Sequence, residues 1–352
     1  MANNKALIFY TSRSSFVQKD VSILQKEYQT HEFNFYVAKK SQTPLKFLSQ
    51  FFFLLVNIFS ARLLVCQFAG YHSFLPALFG KVFGRPCLII VGGTDAHNFP
   101  GIGYGNWQKK VLKTFTAWSF QLCTHIVPKH KTLMQCTYSY DTREPQQQGI
   151  YTNLSGLKTP FTEIPNGYDS EKWKCVTQKA PNTFITVSGG WEYPFQAQLK
   201  GIDLILAVAP SLPECEFAIL GMPDESLLGQ KPANVKILPP AKNENLPAIY
   251  SRYEYYLQLS MAEGFPNSLC EAMLCECVPV VSNVFSMPAI IGDSGFVLKH
   301  RDVGELKQLI GEALKADRPA LGKKAHEIIA ANYTFEARKN KLLALCNSLT
   351  KK

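Results

Sequence analysis

Two carboxylates, Glu263 and Glu271, stand eight positions apart in the stretch SMAEGFPNSLCEAM (residues 260–273), which follows a β-prone run at 255–259. The stretch reads as strand, loop and helix. Gly264 permits close backbone approach, Pro266 fixes the turn, and Asn267 or Ser268 is placed to cap the helix. Amides exposed at such a helix start turn their positive ends toward the cleft, an arrangement suited to a diphosphate. Glu263 in the loop and Glu271 one to two turns into the helix would reach different parts of one elongated ligand. Each carboxylate can accept hydrogen bonds from two vicinal hydroxyls, as on a ribose or hexose. Taken without their neighbours, the residues also fit a plainer account, with Glu263 favouring the positive end of the helix and Glu271 merely solvated.

The segment EGFPNSLCEAM (263–273) resembles the Glu-x7-Glu signature of the retaining family 4 glycosyltransferases, which have two Rossmann-like domains in the GT-B arrangement. Other stretches extend the resemblance through the C-terminal half. IPNGYDSEKW (164–173) is similar to the family's interdomain turn and LKGIDLILA (199–207) to its Lys-Gly segment. CVPVVSN (277–283) with GDSGFVLK (292–299) is similar to the strand and loop after the signature helix. The resemblance implies that Glu271 binds the ribose of a donor nucleotide and Glu263 the transferred sugar. It further implies that Gly190, Gly264 and the backbone of Phe265, Pro266, Asn267, Ser268 and Leu269 line the donor site. Lys200 would neutralise the diphosphate as the glycosidic bond breaks, positive charge placed where negative charge develops; the plainer reading is a surface lysine ending a loop. A metal-independent site is implied, with no cofactor beyond a UDP- or GDP-linked sugar as co-substrate. The expected reaction is transfer to a hydroxyl with retention, in polysaccharide or glycoconjugate assembly, the acceptor being a glycan or a lipid-linked sugar.

The chain departs from the family pattern in two places. Where an Arg is usual shortly before the Lys, it has Val187-Ser188-Gly189-Gly190, and residues 191–199 look like an insertion. The sequence does not show what replaces it; Arg13 or Lys19, in the first loop and helix of the N-terminal half, could reach over a closed cleft. Trp191 and Tyr193 in the insertion suit stacking on a sugar or base, or ordinary packing. Where a His is common, the chain has Gly92, within VGGTDAH (91–97). Asp95 fits a cleft contact or a turn-forming carboxylate. His72, at another strand-to-helix junction, fits a cleft contact or a satisfied structural His.

Short β-rich runs alternate with longer amphipathic segments through residues 5–127 and again through 184–281, which predicts parallel βαβ units. The expected fold class is α/β, two doubly wound Rossmann-like domains facing across a cleft, with ligands at the carboxyl ends of the strands. The turn PNGYD (165–169) marks the boundary. Residues 1–170 form the N-terminal, acceptor-side domain and 171–335 the nucleotide-sugar domain; 336–352 form a helix packing back toward the N-terminal domain.

A length of 352 residues suits two such cores, and 46% apolar with 18% charged residues excludes disorder. The formal net charge of +10, read as spread along the chain, favours anionic partners. No basic run or zinc-finger spacing indicates nucleic-acid binding. The glycines at 101–105 and 189–190 lack the Gly-x-Gly-x-x-Gly spacing of a dinucleotide site. Ten scattered cysteines and an N-terminus without a signal-peptide pattern suggest a reducing cytoplasm. The Cys275 and Cys277 pair is read as helix packing. The longest apolar stretch, residues 47–59, is shorter than the ~20 residues a membrane span needs. It is read first as a buried helix, and second as a flank that attaches the protein peripherally to the inner face of a membrane. A non-catalytic nucleotide-sugar-binding scaffold, or an epimerase or hydrolase on the same fold, are the competing functions.

Overall fold

The computed structural model describes residues 4–189, 191, 195–224 and 230–351. In chain order the N-terminal half runs β1 (Lys5–Tyr10), α1 (Ser15–Leu24), β2 (Gln29–Asn34), α2 (Thr43–Asn57), β3 (Ala61–Gln67), α3 (Tyr71–Val82), β4 (Cys87–Val91), α4 (Lys110–Leu122) and β5 (His125–Pro128). A small hairpin follows, β6 (Cys136–Thr137) with β7 (Gln147–Gln148), and then α5 (Ile150–Asn153). The C-terminal half runs β8 (Ala180–Val187), α6 (Gln196–Lys200), α7 (Ile202–Val208), β9 (Glu216–Leu220), β10 (Val235–Leu238), α8 (Leu246–Tyr250), β11 (Tyr253–Gln258) and α9 (Asn267–Leu274). It continues with β12 (Val278–Ser282), α10 (Met287–Ile291), β13 (Phe296–Leu298), α11 (Val303–Lys315), α12 (Arg318–Asn332) and α13 (Phe335–Thr350).

Both large sheets are parallel, in the orders β2-β1-β3-β4-β5 and β10-β9-β8-β11-β12-β13. Parallel strands covered on both faces read as continuous apolar runs, because alternate residues enter different cores. In β1, Leu7 and Phe9 face the layer of α2, α3 and α4, whereas Ala6 and Ile8 face α1 and the last helix, where Leu342, Leu343 and Cys346 of α13 pack. A separate core forms around the second sheet, including Phe184 stacked between Phe217 and Tyr255.

The chain crosses between the halves twice, and the crossings lie side by side. Tyr168 donates its amide to Tyr333 O, and Phe335 donates back to Tyr168 O, each at 2.9 Å. Gly167 is required here, since a Cβ would sit 2.8 Å from both Phe335 Cα and Thr334 O. Arg338, one turn into α13, is buried against this junction. Its guanidinium donates to Asp20 of α1 through Nε and Nη2, each at 2.8 Å, and through Nη1 to the carbonyls of Ile164 (2.9 Å) and Pro165 (2.8 Å). Burial alone would raise the Asp20 carboxyl, but Arg338, together with the Gln67 hydrogen bond and Lys129, holds the group below its ordinary range.

The structure corrects one reading of the sequence here. Residues 47–59 do not form a buried helix. Of α2, only Gln50 and Leu54 are buried, and Leu45, Leu48, Phe52 and Val56 are mostly exposed.

Removing one member of a buried ion pair leaves the other charge uncompensated. Arg338→Ala is therefore expected to cost about 3–5 kcal/mol in urea unfolding. Exposed pairs such as Lys174 with Glu171 should be near neutral when broken in the same assay.

Candidate active site

The turn that carries Lys200 and the loop that carries Glu263 are held together by backbone. Gly201, with φ +70°, lies so close to the carbonyl of Leu259 that any Cβ would collide with it, and Met261 donates its amide to Leu199 O at 2.9 Å. This contact sets Lys200 Nζ 2.5 Å from Glu263 Oε1, with the two side chains 23% and 13% exposed. The same oxygen accepts from Ser260 Oγ (2.9 Å) and Gln258 Nε2 (3.1 Å). Gln258 is itself oriented by donation to Ser260 Oγ and by acceptance from Tyr256 and Ser268 hydroxyls. Ser260 and Gln258 carry no sequence pattern that marks them as partners of Glu263. Both come from the strand end that feeds the loop, so their position was available even though their partner was not.

Gly264 is a site of close approach, but its neighbour is protein. A Cβ there would collide with the carbonyl oxygen of Gly92, and a Cβ on Gly92 would strike the ring of Phe68. The two glycine-bearing loops thus meet backbone to backbone across the cleft. Phe265 packs edge-on against Tyr333, and Leu269 lies in the core.

The helix cap differs from expectation. Pro266 holds the N-cap position of α9, and no side chain caps the helix. Asn267 Oδ1 instead accepts from Asn166 Nδ2 (3.0 Å) and Tyr168 OH (2.9 Å), and Ser268 donates to Gln258 Oε1 at 3.3 Å. Both polar side chains are diverted to partners that brace the loop. The N-cap residue itself, a proline, makes no side-chain bond to the amides that open α9, where the helix carries its positive end.

Glu271 is buried, and burial pushes its carboxyl up to about 7 against the opposing pull of Lys19 and then Lys172. Lys19 comes from α1 in the N-terminal half. It is itself lowered by burial, donates to Gly167 O at 3.3 Å and lies 4.9 Å from the Tyr168 ring centroid. Arg13 is spent on Glu32 at the surface, 3.2 Å away. Lys172 and the buried Lys129 had no part in the sequence reading. Burial lowers Lys129 to about 8, and its ammonium sits 4.1 Å from the Phe16 ring centroid.

Two cavities open beside these groups. One of about 640 Å³ lies at the carboxyl ends of β8, β9 and β10, walled by Ser188, Trp191, Gly221, Ala241 and Leu246. The other, about 500 Å³, lies at the crossing and includes Lys19, Tyr168, Lys172 and Trp173. Neither wall includes Lys200 or Glu263. Trp191 donates to Ser188 O at 2.8 Å, while Gly190 and Tyr193 lie outside the described residues.

In the N-terminal half, Asp95 is the turn-forming carboxylate. It is buried and accepts from the amides of Ala69 (2.9 Å), Gly92 (3.2 Å) and Gly93 (3.0 Å). Burial drives His72 down to about 4, and its Nε2 pairs with Gln67 O at 2.6 Å, so it is a satisfied neutral His on the wall of a cavity of about 400 Å³. His97 escaped notice in the sequence. Burial pushes it down to about 3, neither ring nitrogen has a hydrogen-bond partner, and its ring lies 4.2 Å from Phe285 of the other half.

The whole chain superposes on several solved enzymes. Sucrose-phosphate synthase from Thermosynechococcus elongatus matches with a TM-score of 0.74 over 98% of this chain and 99% of that one, at 14% identity. Anabaena Alr3699/HepE, solved with UDP and glucose, matches at 0.70 over the same shares and 13% identity. The catalytic domain of starch synthase IV from Arabidopsis thaliana matches at 0.71 over 99% of each chain and 10% identity. The fold is GT-B. Residues 195–335, which contain Lys200, Glu263 and Glu271, match the family described as glycosyl transferases group 1. Among curated proteins, the O-antigen chain mannosyltransferase B of Escherichia coli is 33% identical over 89 residues, 25% of this chain and 23% of that protein. The D-inositol 3-phosphate glycosyltransferase of Mycolicibacterium vanbaalenii is 26% identical over 169 residues, 42% and 37% of the two chains. These alignments span well under half the length of either relative.

The Glu271 carboxyl, near 7 in the fold against an ordinary 4.5, holds its proton more tightly when folded. Its contribution is fully present below about pH 4.5 and is lost as pH rises through 7. Glu271→Gln should therefore gain stability relative to the native chain by about 3 kcal/mol between pH 4 and pH 8, read by denaturant unfolding. A pH-independent difference would mean that the carboxyl is not buried as described.

Proposed function

We propose that this chain transfers a sugar from a nucleotide diphosphate donor to a hydroxyl of a glycan or lipid-linked acceptor, with retention at the anomeric carbon. The observation that carries the reading is the Lys200–Glu263 pair, fixed by backbone beside an uncapped helix start within the segment that matches glycosyl transferases group 1. The apolar cavity with Trp191 suits the plane of a nucleobase. Glu271 accepts from the ribose hydroxyls, and the backbone of 264–269 faces the diphosphate. A UDP- or GDP-linked sugar is the co-substrate. In support, the HepE structure was obtained with UDP and glucose, and the E. coli relative is a mannosyltransferase.

On this reading the bond from the anomeric carbon to the β-phosphate oxygen breaks, and its electron pair remains with the phosphate. Lys200 and the positive end of α9 stabilise that charge, and Lys19 supplies a further cation from the opposite half. The acceptor oxygen bonds to the anomeric carbon on the face the phosphate leaves, and its proton passes to a departing phosphate oxygen. Glu263 holds hydroxyls of the sugar being moved. Its present partner Lys200 exchanges a carboxylate for a phosphate when the donor arrives.

The test is calorimetric titration with a panel of nucleoside diphosphates and their sugars, followed by product analysis. One nucleotide class should bind. Glu271→Ala should weaken it by about tenfold or more, equivalent to ~1.4 kcal/mol. Lys200→Ala should lower turnover by about 10²–10³-fold, the range for removing one stabiliser of developing negative charge. An inverted linkage by NMR would overturn retention. Return of an isomerised nucleotide sugar, or release of free sugar without acceptor, would replace transfer by epimerisation or hydrolysis. Binding without turnover on any acceptor would leave a scaffold.

A further inference from the structure

Helices α2, α3 and α4, which cover one face of the N-terminal sheet, contain no Asp or Glu. From residue 33 to residue 140, eleven Lys and Arg are set against a single carboxylate, the buried Asp95. This segment alone therefore carries the chain's entire formal net charge of +10. The excess is not spread along the chain, as the composition suggested; acidic residues are absent from one layer.

The same layer turns an apolar stripe outward. Leu45, Leu48, Phe52, Val56 and, just past the helix end, Phe59 are 71, 53, 56, 79 and 69% exposed. Their spacing of three and four residues places them along one side of α2. The stripe continues past the helix end, where the Phe59 and Phe83 rings are 5.4 Å apart and Val82 is 66% exposed. Val111 and Trp118 of α4 are likewise exposed, at 61% and 44%. Cations frame it: Lys39 and Lys40 before α2, and Lys109, Lys110 and Lys113 around the start of α4, are all exposed. Arg62, Lys81 and Arg85 line a cavity of about 680 Å³ at the far end, where Arg85 donates to Phe59 O at 3.1 Å.

We propose that this face docks on an anionic lipid bilayer. Aromatic and aliphatic side chains enter the boundary between headgroups and acyl chains, and the surrounding lysines meet the negative headgroups. Charge selects this occupant over a second copy of the chain, because two such faces brought together would oppose like charges. Attachment is to one leaflet: among the described residues no helix is long and apolar enough to cross a membrane. The geometry also sets the N-terminal cavity near the bilayer. Phe47 of α2 packs on Phe35 (5.2 Å) and Tyr71 (6.2 Å), both of which line the cavity that holds His72.

The test is flotation of the full chain with vesicles of phosphatidylcholine alone and of equimolar phosphatidylcholine and phosphatidylglycerol. Two double variants are compared, Phe52→Ser with Val56→Ser, and Lys39→Glu with Lys40→Glu. All four side chains are exposed, so melting temperature and nucleoside diphosphate binding should not change; these controls keep the result separate from the fate of the glycosyl-transfer reading. The native chain should partition at least tenfold more strongly onto the anionic vesicles, and added salt should release it. Each variant should lose about tenfold of that binding. Absence of binding to the anionic vesicles, or binding undiminished in both variants, overturns the proposal. So does a dimer, seen by light scattering, that the Phe52→Ser, Val56→Ser variant abolishes while vesicles are ignored, since the stripe would then be a self-association face.

Discussion

The guanidinium of Arg338 is the point on which the arrangement of the two halves depends. A buried cation is tolerable only when its donors are matched. Here the match draws on α1 through Asp20, on the first crossing through the carbonyls of Ile164 and Pro165, and on the last helix, to which Arg338 belongs. The consequence reaches the candidate site directly, because Lys19 is the neighbour of Asp20 in α1. Anchoring Asp20 presents Lys19 toward Glu271, so a residue of the N-terminal half contributes to the electrostatics of a carboxyl in the other.

The Lys200–Glu263 pair follows a different rule. Its geometry comes from glycine and amide contacts rather than from the ionic attraction itself: Gly201 tucked under Leu259 and Met261 bonded to Leu199 would fix the two loops with either side chain removed. Around it the carboxylate is satisfied by three donors on one oxygen, a preorganised polar cluster in which each member orients the next.

Much of this architecture could be read from residue order. Parallel strands buried on both faces, such as β4 with CLIIV, have unbroken apolar character and stand out between amphipathic segments. The strand-loop-helix passage at 253–274 was legible because Gly264 and Pro266 mark a turn between a β-prone run and a helical segment, whereas the two glutamates alone fit a capping or solvated role as well. What failed was whatever depended on distant partners. Asn267 looks like a cap until Asn166 and Tyr168, about a hundred residues earlier, claim its oxygen. An apolar helix such as α2 reads as buried from composition alone, since burial is decided by what packs on it. His97 and Lys129 carry no local pattern that betrays their burial, and only the assembled core shows it.

Where Gly92 meets Gly264, main chain of one half lies directly against main chain of the other, since a Cβ on Gly264 would fall on the Gly92 carbonyl. A rotamer change cannot part these two backbones; only a shift of the main chain on one side or the other can. Any movement of one half relative to the other would have to break this main-chain contact, while the chain links the halves only through the paired crossings at Tyr168 and Thr334.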